Sequence, residues 1–212
     1  MPVIYTKQFS NHTIIGVWHI TENIEDLLSE IDLSDKDRQV LDSYRHEGRK
    51  KQWLSYRILI NKLSGDTFQV HYTNFGKPYL MDDVKSKHVS ITHSGDYSAV
   101  IISPDTAVGI DIEKTSKRIE RVSSRFLSNS EEKFIDKTNF LEHLTICWTA
   151  KEALFKIYGN DYYDFKKQIK LQPFNYTSEG EIKASLQSGK KTVEFHVFFE
   201  KISDFFLSYV IG

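Results

Sequence analysis

The stretch V108-G-I-D-I-E113 decides how this chain is read. Val108, Ile110 and Ile112 alternate with Gly109, Asp111 and Glu113, the period of a β-strand with one buried face. The second face carries two carboxylates beside a residue with no side chain. A strand that aims two like charges the same way needs a compensating partner, and the glycine reads as room for a ligand on that face.

The partner lies downstream in C147-W-T-A-K-E-A-L-F-K-I-Y-G159. Wound as a helix, Ile146, Ala150, Ala153, Leu154 and Ile157 form one apolar stripe, while Trp148, Glu152, Phe155 and Lys156 lie opposite it. Gly159 is placed to stop the helix. Glu152 and Lys156 are four residues apart and therefore neighbours. As a solvated pair they would add only about 0.2–0.5 kcal/mol. Two large aromatics on the same face argue that this side is covered or lines a cleft. If the helix packs across the strand, Asp111, Glu113 and Glu152 converge. Three carboxylates at close range repel unless a cation joins them. Oxygen donors, with no cysteine cluster and no histidine pair at ligand spacing, favour Mg²⁺, or Mn²⁺.

Working outward, the 212-residue chain divides into two α+β halves, 1–105 and 106–212. In the first, a strand over about 13–20 precedes a helical stretch, residues 33–63, with Ser34 as N-cap and Gly65 past its end. The strand-like runs FQVHYT, HVSITHS and YSAVIIS follow, the last two joined by a short turn at Ser94-Gly95-Asp96. In the second, helical signal covers about 119–136 and 140–158, and EIKASL, TVEFHVFFE and FFLSYVI read as strands. The segments 88–102 and 196–211 repeat one plan of strand, tight turn and strand. A small antiparallel sheet packed on a long helix in each half is the expected fold, with a ligand in the cleft between halves.

The net charge of −1 gives no general attraction to nucleic acid or to a membrane surface. The one cysteine, Cys147, excludes an internal disulfide and reads as a core residue. No apolar run reaches the roughly 18 residues of a membrane span, and the start lacks a basic head followed by an apolar block. A cytoplasmic chain is the expectation.

These residues carry a resemblance. VGIDIE followed by W148-T-A-K-E-A-L-F-K156 resembles the signature pair of the 4′-phosphopantetheinyl transferases of the surfactin-synthetase-activating (Sfp) type. Two upstream elements, F75-G-K-P-Y-L80 and S90-I-T-H-S-G-D-Y97, resemble that family's GKP and SHSGDY elements. Thr92 stands where the family usually has serine, and its hydroxyl is retained. The four motifs occur in the family's order, and the length fits its monomeric two-half members.

The resemblance implies two halves related by a pseudo-twofold. It also implies an activity: the phosphopantetheine arm of coenzyme A moves to a serine of an apo acyl or peptidyl carrier protein, with Mg²⁺, releasing 3′,5′-ADP. It makes Asp111, Glu113 and Glu152 metal ligands and gives Lys156 the charge of the leaving group. Lys151 falls to phosphate, Lys77 and Pro78 to the nucleotide, and His93, flanked by Ser90 and Thr92, to the 3′-phosphate. Arg38, Arg49 and Lys51, in and before the basic stretch R45-H-E-G-R-K-K-Q-W-L-S-Y-R57, are three choices for a further 3′-phosphate contact. Glu152 and Glu131 both stand as the base for the serine. A metal-bound carboxylate is the weaker base because the metal lowers its pKa. Residues 117–125 carry Lys117, Arg118, Arg121 and Arg125 against one acid, Glu120, a match for an acidic carrier surface. A Mg²⁺-dependent phosphoesterase and a non-catalytic coenzyme A-binding protein are the rival readings.

Overall fold

In the computed structural model, residues 3–65, 68–158 and 164–212 are described. The chain forms two compact units. The first takes the residues up to His71 with Pro78–Asp105, and the second takes Tyr72–Lys77 with Thr106–Gly212. Each is an antiparallel sheet packed against helices, so the two halves repeat one α+β architecture.

The first unit holds six strands in the order β1-β2-β6-β5-β4-β3. They are β1 (Val3–Gln8), β2 (Ile14–His19), β3 (Gln69–Tyr72), β4 (Pro78–Met81), β5 (Ser86–Ser94) and β6 (Tyr97–Ser103). The edge strand β1 and the inner strand β4 are additions to what the hydrophobic pattern showed. β1 is mostly exposed and β4 is four residues long, so neither carries a clear alternation. The expected long helix over 33–63 is two helices, α2 (Asp35–Ser43) and α3 (Glu47–Ser64), preceded by a short α1 (Ile24–Ser29). The break falls where Tyr44 turns to ψ 122 and His46 adopts extended backbone. Ser34 caps α2, accepting from the Asp37 amide at 3.2 Å. Gly65 ends α3 at φ 85.

The second unit holds five strands in the order β7-β11-β10-β9-β8. They are β7 (Val108–Lys114), β8 (Ile169–Leu171), β9 (Glu179–Ser188), β10 (Lys191–Ile202) and β11 (Phe205–Ile211). The helices are α4 (Arg118–Phe126), α5 (Phe140–Tyr158) and α6 (Phe165–Gln168). α4 is shorter than the 119–136 expected from the pattern. The chain leaves it at Leu127, and residues 128–131 turn around the Glu131 carboxylate, which accepts from the Ser128 amide at 2.7 Å. The expected stop at Gly159 lies outside the described residues.

The repeat between halves extends to the turns. β5 and β6 are joined by Gly95-Asp96 and β10 and β11 by Ser203-Asp204, with φ 57 at the first residue of each. That is the left-handed geometry of tight hairpins, adopted once by glycine and once by serine.

Helix packing in each unit uses a strand glycine. A Cβ on Gly16 would stand 2.9 Å from Leu59 and Leu63 of α3. A Cβ on Gly109 would stand 1.9 Å from the Ala153 carbonyl oxygen of α5. Gly109 is therefore the point where the α5 backbone rests on β7. The space beside Asp111 is filled by a helix, which corrects its reading as room for a ligand.

Candidate active site

β7 and α5 bring Asp111, Glu152 and Lys156 together, with Glu113 near enough to act on Glu152. Asp111, 4% exposed, pairs in register with Ser208 of β11. Ser208 shares a 2.7 Å hydrogen bond with Thr149 of α5. Together with the close contact at Gly109, that bond fixes α5 against β7 and β11. Glu152, one residue before Ala153, and Lys156, three after it, then emerge on the side of Asp111.

The Lys156 ammonium donates to Asp111 Oδ1 at 2.7 Å and to the Ile110 carbonyl at 2.9 Å. The Glu152 carboxyl is pushed up to about 7. Burial is the largest cause, the nearby negative charges of Asp111 and Glu113 add to it, and Lys156 opposes them. The cluster thus carries more negative charge than its single lysine offsets.

That electrostatic deficit and the all-oxygen donor set fit a hard divalent cation. Among the described residues, no group of three His, Cys, Asp or Glu side chains is gathered at ligating geometry. The ammonium of Lys156 stands at Asp111 instead.

Beside Glu113 a cavity of about 750 Å³ opens between the end of β7 and the helices α4, α5 and α6. Its wall includes Ile119, Val122, Trp148 and Phe165, and its cations are Lys114, Arg118 and Arg125. Trp148 stacks on Phe165 with ring centroids 5.8 Å apart. On the aromatic side of α5, Trp148 lines the cavity and Phe155 is covered by Phe165, with ring centroids 5.1 Å apart. Arg118 and Arg125 of the basic stretch lie on this cavity, and Lys117 and Arg121 are exposed.

Lys77 follows Gly76, whose φ is 77, in the turn that belongs with the second unit. Its ammonium donates to the Ile157 carbonyl at the C-terminal turn of α5, and burial lowers its pKa. Pro78 begins β4. In the first unit, Arg49 and His93 come together at 2.6 Å, and Gln52, one turn on, donates to the Gly95 carbonyl at 2.7 Å. Ser90 and Thr92 are buried in β5, on the face opposite His93. Lys51 pairs with Glu47 at 3.0 Å, and Arg38 is exposed on α2. Of the three basic choices, Arg49 is the one the structure brings to His93.

Glu131 and Lys151 face inward. They are 1% and 0% exposed and form an ion pair at 2.8 Å. Glu131 Oε2 also accepts from the Ser128 hydroxyl at 2.7 Å, and Oε1 accepts from the Leu171 amide at 2.9 Å. The Lys151 ammonium donates to the carbonyls of Phe126 at 2.7 Å and Ile169 at 2.9 Å. Burial lowers the Lys151 pKa, against the pull of Glu131. In this arrangement neither side chain meets solvent, so a phosphate contact for Lys151 and a base role for Glu131 have no route to a ligand. The signal in the sequence was the spacing of Cys147, Lys151 and Leu154, which share one flank of α5.

Residues 107–210 match the family model described as the 4′-phosphopantetheinyl transferase superfamily. The chain is 25% identical over 166 residues to the L-aminoadipate-semialdehyde dehydrogenase-phosphopantetheinyl transferase of Rattus norvegicus, covering 68% of this chain and 53% of that protein. It is 29% identical over 119 residues to the 4′-phosphopantetheinyl transferase AcpT of Escherichia coli K12, covering 52% and 59%. Against the Xenopus laevis counterpart of the rat protein it is 29% identical over 135 residues, covering 51% and 43%. The chain spans about half the length of the curated relatives it matches. The family match falls on the motif-bearing second unit.

Proposed function

We propose that this chain is a 4′-phosphopantetheinyl transferase of the surfactin-synthetase-activating type. It transfers the phosphopantetheine arm of coenzyme A to a serine hydroxyl of an apo acyl or peptidyl carrier protein. The observation that carries the reading is the acidic cluster of Asp111, Glu113 and Glu152 with Lys156, built on motifs inside the matched region.

Asp111, Glu113 and Glu152 would hold Mg²⁺ or Mn²⁺, which when bound supplies charge neutralisation for the diphosphate of coenzyme A. Lys156 then leaves Asp111 for the phosphate oxygens, where its charge is worth most as the leaving group departs. The serine oxygen attacks the phosphorus on the pantetheine side. The bridging P–O bond breaks, and 3′,5′-ADP leaves with the bonding electron pair. The serine proton would pass to Glu152, whose burial and neighbouring carboxylates raise its pKa while a bound cation opposes that rise. Lys77 supplies a cation at the end of α5, and Arg49 with His93 is the proposed receiver of the 3′-phosphate. The cations around the cavity suit an acidic carrier surface.

The test is mass spectrometry of an apo carrier protein incubated with the chain, coenzyme A and Mg²⁺. The carrier is expected to gain one phosphopantetheine arm, and Asp111→Ala is expected to abolish the gain. Hydrolysis of coenzyme A with no carrier product, or full activity in the variant, would overturn the reading.

A further inference from the structure

The second unit contains a charged pair that the proposed reaction does not use. Glu131 and Lys151 lie in the interior, and their bonds join α5 to α4, the 128–131 turn, α6 and β8. Lys151 belongs to α5, one residue before Glu152. Its ammonium takes the Phe126 carbonyl, in the last turn of α4, and the Ile169 carbonyl, where β8 begins. It also reaches the Phe165 carbonyl of α6 at 3.3 Å. Glu131 closes the remaining side, holding the 128–131 turn through Ser128 and β8 through the Leu171 amide.

This is a costly arrangement for stability alone. Two buried charges lose their hydration, and a well-packed apolar pair is often as stable. What charge provides here is direction. Several carbonyls and one carboxylate, at fixed distances, define where the Lys151 ammonium sits. That in turn fixes the rotation of α5 about its own axis. Since successive helical residues are 100° apart, holding Lys151 inward sets the bearing of Glu152 and of Lys156.

We propose that Glu131 and Lys151 are a positioning pair: without touching cofactor or substrate, they lock α4, α6 and β8 onto α5 and so aim Glu152 and Lys156 at Asp111. The inference rests on the reading of Asp111, Glu113 and Glu152 as a cation site. It assigns to structure two residues whose sequence context suggested chemistry.

The experiment compares the wild-type chain, E131Q, K151M and the double variant E131Q/K151M. Thermal unfolding, coenzyme A affinity and Mn²⁺ affinity are measured, the last two at a temperature where all four are folded. K151M strands the Glu131 carboxylate and is expected to lower the thermal midpoint by about 10 °C. The double variant removes the stranded charge and leaves an amide to bond the 128–131 turn, so its midpoint is expected above that of K151M. Mn²⁺ affinity is expected to fall about tenfold in K151M, as for other residues supporting a metal ligand, and to recover in part in the double variant. Coenzyme A affinity without metal is expected to stay within about threefold throughout, since no phosphate contact is lost.

Three results would overturn the proposal. One is a K151M midpoint equal to the wild type. Another is coenzyme A affinity lost in K151M and not regained in the double variant, the mark of a direct phosphate contact. The third is coupled midpoints with Mn²⁺ affinity unchanged, which leaves the pair a stability element only. If the couplings appear but the wild-type chain modifies no carrier, the transfer reading fails and the positioning pair stands.

Discussion

His143 shows how one buried side chain ties stability to pH. It is 0% exposed on α5, with its ring 4.4 Å from that of Phe174 and 5.9 Å from that of Phe134. Its Nδ1 accepts from the Asp136 amide at 2.9 Å, so the ring is neutral with its proton on Nε2. Burial lowers its pKa below the ordinary 6.5, and the charge of Asp136 opposes that only in part. The unfolded chain therefore binds a proton that the folded chain refuses. Stability from this residue is complete above pH 6.5 and falls as pH drops below it, by up to about 1.4 kcal/mol per pH unit. Urea unfolding at pH 7 and pH 5 should show that loss, and His143→Gln should reduce it. An equal loss in both proteins would mean other groups govern the acid limb. Helical spacing puts His143 on the apolar stripe of Ile146 and Ala150, but the spacing alone does not show which groups satisfy its ring.

At the scale of elements, the contact of α5 with β7 is the feature on which the site depends. Gly109 lets the α5 backbone approach until no Cβ fits, and the polar bond of Thr149 to Ser208 holds the same seam. Gly109→Ala drives a methyl into a backbone carbonyl that no side-chain rotation can move. The expected cost is at or above the roughly 1–3 kcal/mol usual for overpacking, read as a lower urea midpoint. Retained stability in that variant would show the helix free to shift outward.

Apolar runs and period-2 alternation made β5, β6, β7, β9, β10 and β11 legible, and period 3.6 did so for α5; β10 buries one face, while β6 and β11 are buried on both. The breaks at Tyr44–His46 and after Phe126 were not legible. They are set by backbone turns and by the Glu131 carboxylate, which leave no mark on the hydrophobic period. The inward course of Lys151 was marked only by its spacing from Cys147 and Leu154, which residue type outweighs. A lysine reads as solvated until the three-dimensional neighbours that satisfy it are known.

At the scale of the molecule, two units share one plan and divide the chemistry-bearing residues between them. The first carries Arg49 and His93, and the second carries Asp111, Glu113, Glu152, Lys156 and, through the 72–77 turn, Lys77. Among the described residues, no helix is long and apolar enough to cross a membrane. The repeated plan of strand, tight turn and strand was visible in segments 88–102 and 196–211, because both bury apolar faces around a two-residue turn. The account turns on one claim, that the carboxylates of β7 and α5 act together on a divalent cation. Electron paramagnetic resonance titration of Mn²⁺ in the presence of coenzyme A tests it most directly. The account predicts one bound ion per chain, with affinity reduced at least tenfold in each of Asp111→Asn and Glu152→Gln. Wild-type affinity in both variants, or no bound ion in the unaltered chain, would contradict it.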